Sequence, residues 1–222
     1  MPEKRAFALS AVLLLAACSA SSDTRDTPVR PAVTGTGTAS WARAEAQACF
    51  SQLASTRATF SPVPDRTDAP GCFVRDSVAI SRLGADQSTL EVTNLGPLAC
   101  PMATRFAAWA RYGVDRAARQ ILGSPLARIE TMGSYACRNV AGTRRLSAHS
   151  RAQAVDIGAF ILQDGRRVSV KAGWTASREE REFLRTVHRS ACKRFGTVLG
   201  PDYNAAHRDH LHLELGDGSF CR

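Results

Sequence analysis

At 222 residues the chain is long enough for one well-buried domain with short appendages. Its formal charge of +9 suits anionic polymers in general: nucleic acid, lipid headgroups, or cell-wall peptides rich in free carboxylates. Seven cysteines without a single C-x-x-C pair argue against a zinc–thiolate module.

Lys4 and Arg5 precede the apolar run AFALSAVLLLAA, which is too short to span a bilayer as a mature helix. The run ends in LAAC, Leu15 to Cys18, which resembles the lipobox of bacterial lipoprotein signal peptides. That resemblance implies a signal peptide over residues 1–17, cleavage before Cys18, and acyl chains on its sulfur and new amino group. The competing expectation is an ordinary secretory signal with an incidental cysteine. Ser19, in place of the Asp that marks inner-membrane retention, implies the periplasmic side of the outer membrane. Two or more acyl chains would give stable membrane anchoring. Glu3, Lys4 and Arg5 carry a net +1, so the processed chain keeps +8. Export sets nucleic acid aside as a partner. Residues 18–40 then comprise the lipidated cysteine and a tether rich in Ser, Thr, Pro and Gly, whose 22 residues after Cys18 reach roughly 25 Å as a random coil.

The globular part is expected over residues 41–222. SWARAEAQACFSQLAS predicts a helix capped by Ser40, with Ala44, Ala48 and Leu53 near one face. FSPVPDRTDAPGC reads as a proline-rich connection, and SVAISRL and STLEVT as short strands. ACPMATRFAAWARYGVDRAARQIL is the clearest helix, with a core stripe of Met102, Phe106, Trp109 and Ala117. ARIETMGSYACR reads as a strand entering a turn, and AQAVDIGAFILQDGRRVSV as a hairpin turning at QDGR. ASREEREFLRTVHRSACKRF predicts a second long helix, placing Phe183, Leu184, Val187, Ala191 and Phe195 inward, and HLHLEL the last strand. The mixture lacks a βαβ rhythm, so the expected class is α+β with a small antiparallel sheet flanked by helices. Setting Cys18 aside leaves Cys49, Cys72, Cys100, Cys137, Cys192 and Cys221. An even number in an exported chain predicts three disulfides, with 15 pairings open.

Three of the five histidines fall in AHRDHLHLEL. Alternation along a strand turns His210, His212 and Glu214 one way and Leu211, Leu213 and Leu215 the other. The leucines would fix the strand on the core and leave the imidazoles lining a cleft. Zinc accepts imidazole and carboxylate, and a catalytic site combines three protein ligands with a water. One strand cannot supply all three. The partner stretch is LSAHSRAQAVDIGAF, in which His149 and Asp156 are separated by six residues.

S-x-H-x6-D followed by H-x-H resembles the signature of the M15-type zinc peptidases, which include D-Ala-D-Ala dipeptidases and murein endopeptidases and are related to the hedgehog signalling domain. GSYACR, LSAHSRAQAVDIGAF, DGRRVSV, FLRTVHRSAC, TVLGPDYNAAHRDHLHLEL and the terminal CR are more closely similar to the bacterial extensin-like C-terminal domain family, from about Ala48 to Arg222. The resemblance implies a disulfide-stabilised fold like that of the D-Ala-D-Ala peptidases and hedgehog. It implies Zn2+ held by His149, Asp156 and His212. It gives the general base to His210 or Asp209, with His207 a third candidate that could instead hold substrate. Arg138 would stabilise an oxyanion or a substrate carboxylate, and Ser147 would contact substrate. Two departures stand out: Ala148 where Glu is common before the first ligand, and Ala152 where Gly is usual between the ligands.

Other residues have plainer readings. His188 is expected to be a helix bystander, Tyr135 and Trp174 to pack, Glu214 to pair at a strand end, and Asp209 could simply face solvent. The implied function is a monomeric zinc peptidase acting on peptidoglycan cross-links or stem peptides. The alternative is a wall-binding lipoprotein whose zinc is structural only.

Overall fold

The computed structural model of the protein describes residues 44–222. The expected signal peptide, Cys18, the tether, and residues 41–43 with the Ser40 cap lie outside the described residues.

Helix α1 (Ala44–Ser55) buries Ala46, Cys49 and Leu53, spaced three and four apart. Ala44 and Ala48 are exposed, contrary to the sequence expectation, because the Cys49–Cys100 disulfide pins the other side of the helix inward. The proline-rich stretch after α1 is not a bare connection. It contains β1 (Thr59–Val63), β2 (Arg66–Ala69) and β3 (Cys72–Val74). Pro62 is tolerated in β1 because that strand lies at the end of the sheet, where a missing N–H breaks no inner ladder. The chain continues through β4 (Ser77–Gly84), β5 (Thr89–Thr93) and β6 (Pro97–Ala99) into α2 (Cys100–Trp109).

Helical backbone runs on past α2 to Leu122 in two widened stretches, Ala110–Asp115 and Ala118–Leu122. Gly113 lies in the first, where a Cβ would come within 2.4 Å of Ser190 Oγ, so the close crossing there requires glycine. Asp115, wholly buried beside it, accepts from Leu126 N at 3.0 Å and Arg119 Nε at 3.0 Å, tying the helix to the strand that follows.

The second half comprises β7 (Leu126–Gly133), β8 (Ala154–Leu162), β9 (Arg167–Ser169), α3 (Val170–Gly173), α4 (Arg178–Cys192), β10 (Thr197–Leu199), β11 (Leu211–Glu214) and β12 (Phe220–Cys221). The β8–β9 hairpin turns at the expected QDGR, with Gly165 at φ 88°. Ser177 caps α4 by accepting from Glu180 N at 3.2 Å. Phe183, Leu184, Val187 and Ala191 of α4, and Phe195 after it, are buried as the periodicity requires.

The α+β class holds, but the sheet is neither small nor wholly antiparallel. It has ten strands in the order β1-β4-β5-β7-β8-β11-β10-β12, with β6 paired to β4 and β9 to β8. The pairs β5–β7 and β10–β12 are parallel. A separate two-stranded sheet is formed by β2 and β3. Trp109 anchors the helices to one sheet face: its Nε1 donates to Val187 O at 3.1 Å, and its ring packs near Phe106, Phe160 and Phe195. Val155, Ile157, Leu211 and Leu213 belong to that core, so alternation turns Asp156 and His212 toward the opposite face.

Three disulfides join Cys49 to Cys100, Cys72 to Cys137 and Cys192 to Cys221. Among the described residues no helix is long and apolar enough to cross a membrane.

Candidate metal centre

The three expected ligands come from three different elements. His149 sits on a helical turn, Ala148–Arg151, started by Ser147, whose Oγ accepts from His149 N at 3.4 Å. Ala152 ends the turn at φ 54°, the left-handed conformation that costs a residue with a Cβ roughly 1–2 kcal/mol. This is the physical reason a glycine suits the position. The turn is held from outside by the Ala99 N to Ala152 O bond at 2.9 Å and by Ser150 Oγ donating to Gly71 O at 3.3 Å.

Asp156 on β8 and His212 on β11 are direct partners across the antiparallel pair. Such facing side chains lie close enough to share one ion. His149 Nε2, the Asp156 carboxylate and His212 Nδ1 all lie within 4.8 Å of one another. His149 Nε2 is 3.3 Å from His212 Nδ1 and 3.2 Å from Asp156 Oδ2, while His212 Nδ1 is 2.8 Å from Asp156 Oδ1. A tetrahedral ion with bonds of about 2.0–2.1 Å separates its ligand atoms by about 3.3 Å, so the donor set has the size zinc needs. The three residues are 2, 9 and 8 % exposed.

The remaining nitrogens are committed elsewhere. His149 Nδ1 donates to Ser134 O at 3.1 Å, and His212 Nε2 donates to Glu214 Oε2 at 3.3 Å. Each of these bonds fixes a ring and frees its other nitrogen for a metal. Burial favours the neutral form of Asp156, but the bonds from His149 and His212 outweigh it and hold the carboxyl far below the usual range. Burial also disfavours charge on His212, yet the carboxylates of Asp156 and Glu214 outweigh it and raise the imidazole to about 9. Glu214 is lowered in turn by its bond to His212, against the opposing effect of burial. Without an ion, a proton on His212 occupies the cationic role. The residues therefore fit a divalent metal in donor type, spacing and charge.

Beside the ligands lie the other expected residues. His210 precedes β11, with Nε2 3.7 Å from Asp156 Oδ1, and its Nδ1 lies 2.9 Å from Asp209 Oδ1. Asp209 is thus engaged and not merely solvated; that bond lowers its carboxyl. Arg138 Nη2 is 4.0 Å from Asp156 Oδ2 with half its side chain exposed, and its segment is held by the Cys72–Cys137 disulfide and by Ser147 N donating to Arg138 O at 3.0 Å. His207 packs at a tilt beside His210 and edge-on to His212, with ring centroids 5.2 and 5.8 Å away, and its Nδ1 bonds Asn204 Oδ1 at 2.7 Å. Burial, followed by the neighbouring charges of His210 and His212, lowers His207 to about 4. Ser147, the expected substrate contact, is 5 % exposed and its hydroxyl caps the His149 turn.

The plainer readings separate. His188 packs on Trp174 and its Nε2 lies 3.1 Å from Arg222 O. It forms a second cluster with Cys192 and Cys221, but those cysteines are joined and offer no thiolate. Trp174 is buried and donates to Asp202 Oδ1 at 2.8 Å, and the Tyr135 hydroxyl bonds Asp68. Glu214 pairs at the strand end as expected, and its partner is His212, whose ring it orients. The signal was present in the H-x-E parity. The Ser134 carbonyl carried none, because any residue has one.

The profile of the extensin-like protein C-terminus matches residues 47–222. The chain belongs to this family. No curated protein and no solved structure matches it. The match begins within α1 and includes the whole candidate centre.

Proposed function

We propose that this extensin-like domain is a zinc-dependent peptidase acting on peptidoglycan cross-links or stem peptides, related to the M15-type and hedgehog-like zinc proteins. The observation that carries the reading is the convergence of His149, Asp156 and His212 beside Arg138 and His210. A structural site has no use for a neighbouring base and guanidinium, whereas hydrolysis can employ both.

In this reading zinc supplies Lewis acidity and a water of lowered pKa. His210, oriented through Nδ1 by Asp209, takes the proton of the attacking water at Nε2 and returns it to the leaving amine. Arg138, exposed on one side and near Asp156 on the other, donates to the oxygen of the amide carbonyl as charge develops. His207, neutral at working pH, borders the site as a substrate contact. Lipidation at Cys18 would hold the domain at the periplasmic side of the outer membrane, within reach of the wall.

Incubating the oxidised, zinc-loaded protein with purified sacculi tests the proposal. Muropeptides released by wild type and absent with His149→Ala support it. A zinc-loaded protein that releases none from any sacculus or cross-linked dimer contradicts it.

A further inference from the structure

Both β11 and β9 pair with the same edge of β8, end to end. Leu211 of β11 faces Ile157, and Ser169 of β9 faces Ala159. Gly158 falls in the break between them, on the same strand as Asp156 and two residues further along. Extended backbone rises about 3.4 Å per residue, so that break lies about 7 Å from the metal ligand. A cleft of about 520 Å³ opens there, floored by Gly158 and running across β7 to Asn94 after β5. One lip carries Asp209, bonded to His210; the other carries Ser169 and Lys171. On the β7 side Met132 stands 56 % exposed, unusually open for an apolar residue.

The charges in this cleft are not equivalent. Arg167 is engaged by Glu130, with Nε 2.9 Å and Nη2 2.7 Å from Oε2. Asp209 is engaged by His210. Lys171 is exposed and has no ion-pair or hydrogen-bond partner among the described residues. The cleft therefore joins the candidate centre to one uncompensated cation across a glycine floor. Gly158 keeps that floor low: a Cβ there would reach Met132 Cγ at 3.4 Å, filling the passage without straining the strand.

We infer that this cleft is the substrate groove and that Lys171 docks a free carboxylate of an extended peptide whose scissile amide lies at the candidate centre. The inference rests on the peptidase reading for the scissile position and on the cleft alone for the docking group. Met132 supplies an apolar wall for the intervening side chain. Lys171 and Gly158 thereby set specificity: an acidic peptide is preferred over its amidated counterpart, and a bulky side chain over the floor is excluded.

The test is binding of a peptidoglycan stem tetrapeptide, and of the same peptide with its carboxylates amidated, to the metal-free ¹⁵N-labelled protein. The expected result is amide shifts centred on Met132, Gly158, Ser169 and Lys171. Amidation or Lys171→Ala should weaken binding by about fivefold, the two losses should not add, and Lys171→Arg should restore it. Equal binding of both peptides by wild type and Lys171→Glu, or shifts confined elsewhere, overturns the inference. Gly158→Ala gives a second reading, since it should weaken both peptides alike. Sacculus hydrolysis with no charge-dependent binding overturns the docking role and leaves the peptidase reading. Lys171-dependent binding with no hydrolysis does the reverse.

Discussion

Asp156 and His212, 56 residues apart in sequence, face each other across the β8–β11 pair with Oδ1 and Nδ1 2.8 Å apart. That register turns two scattered residues into one side of the candidate metal site, and a slip of β11 by one residue would turn His212 into the core, away from Asp156. The same pair governs how the metal-free protein responds to pH.

His212 is raised to about 9, so the metal-free site is protonated at neutral pH. A raised folded-state value means that its contribution to stability is complete below the ordinary histidine value, near pH 6.5, and is lost as pH rises through about 9. Metal-free protein should therefore lose Tm between pH 6.5 and 9. Zinc must displace that proton, so its affinity should rise by about tenfold per pH unit between 7 and 8.5. Calorimetry in two buffers of different ionisation enthalpy should find about one proton released at pH 7. No proton release would show that the ion binds elsewhere.

Glu214→Gln keeps a hydrogen-bond acceptor for His212 Nε2 but removes the carboxylate. Zinc affinity should fall by about 10- to 100-fold, with the fold intact by circular dichroism. The protonated state of His212 should also lose one of its two supports, moving its NMR titration to lower pH. An unchanged affinity would leave Glu214 as a strand-end partner alone.

His210→Ala should lower kcat by about 10²–10⁴ while leaving zinc content near wild type, because His210 neighbours the donor set without belonging to it. Asp209→Asn, which keeps the shape but not the charge, should cost less. Zinc content by atomic absorption beside kcat on cross-linked muropeptides separates the roles. If Asp209→Asn costs more than His210→Ala, the base is Asp209.

The Cys72–Cys137 disulfide closes a separation of 65 residues and anchors the segment that presents Arg138. Replacing both cysteines by Ala should remove about 4 kcal/mol of stability and about 10 °C of Tm. Replacing Cys49 and Cys100, which join α1 to α2, should cost a similar Tm. Only the first pair should also lower kcat, read at a temperature where both variants are folded.

The long helices, the β8–β9 hairpin and the site residues were legible because each rests on a local pattern. Periodicity placed Phe183 and Val187, turn chemistry placed QDGR, and strand parity placed His212 opposite Leu211 and Leu213. The breadth of the sheet was not legible. β6, β10 and β12 are two or three residues long and exist only through their neighbours, so no local propensity announces them. β1 was hidden by Pro62, which is acceptable only because the strand is an edge. The orienting role of Glu214 needed the distance to His212, and the cleft at Gly158 needed the pairing of two strands along one edge.

Anomalous diffraction at the zinc edge from crystals of the loaded protein tests the account most directly. The account predicts one strong peak about 2.1 Å from His149 Nε2, an Asp156 oxygen and His212 Nδ1, with a coordination position open toward His210. A peak bound instead at His188, or a fourth protein ligand closing the site, would contradict it.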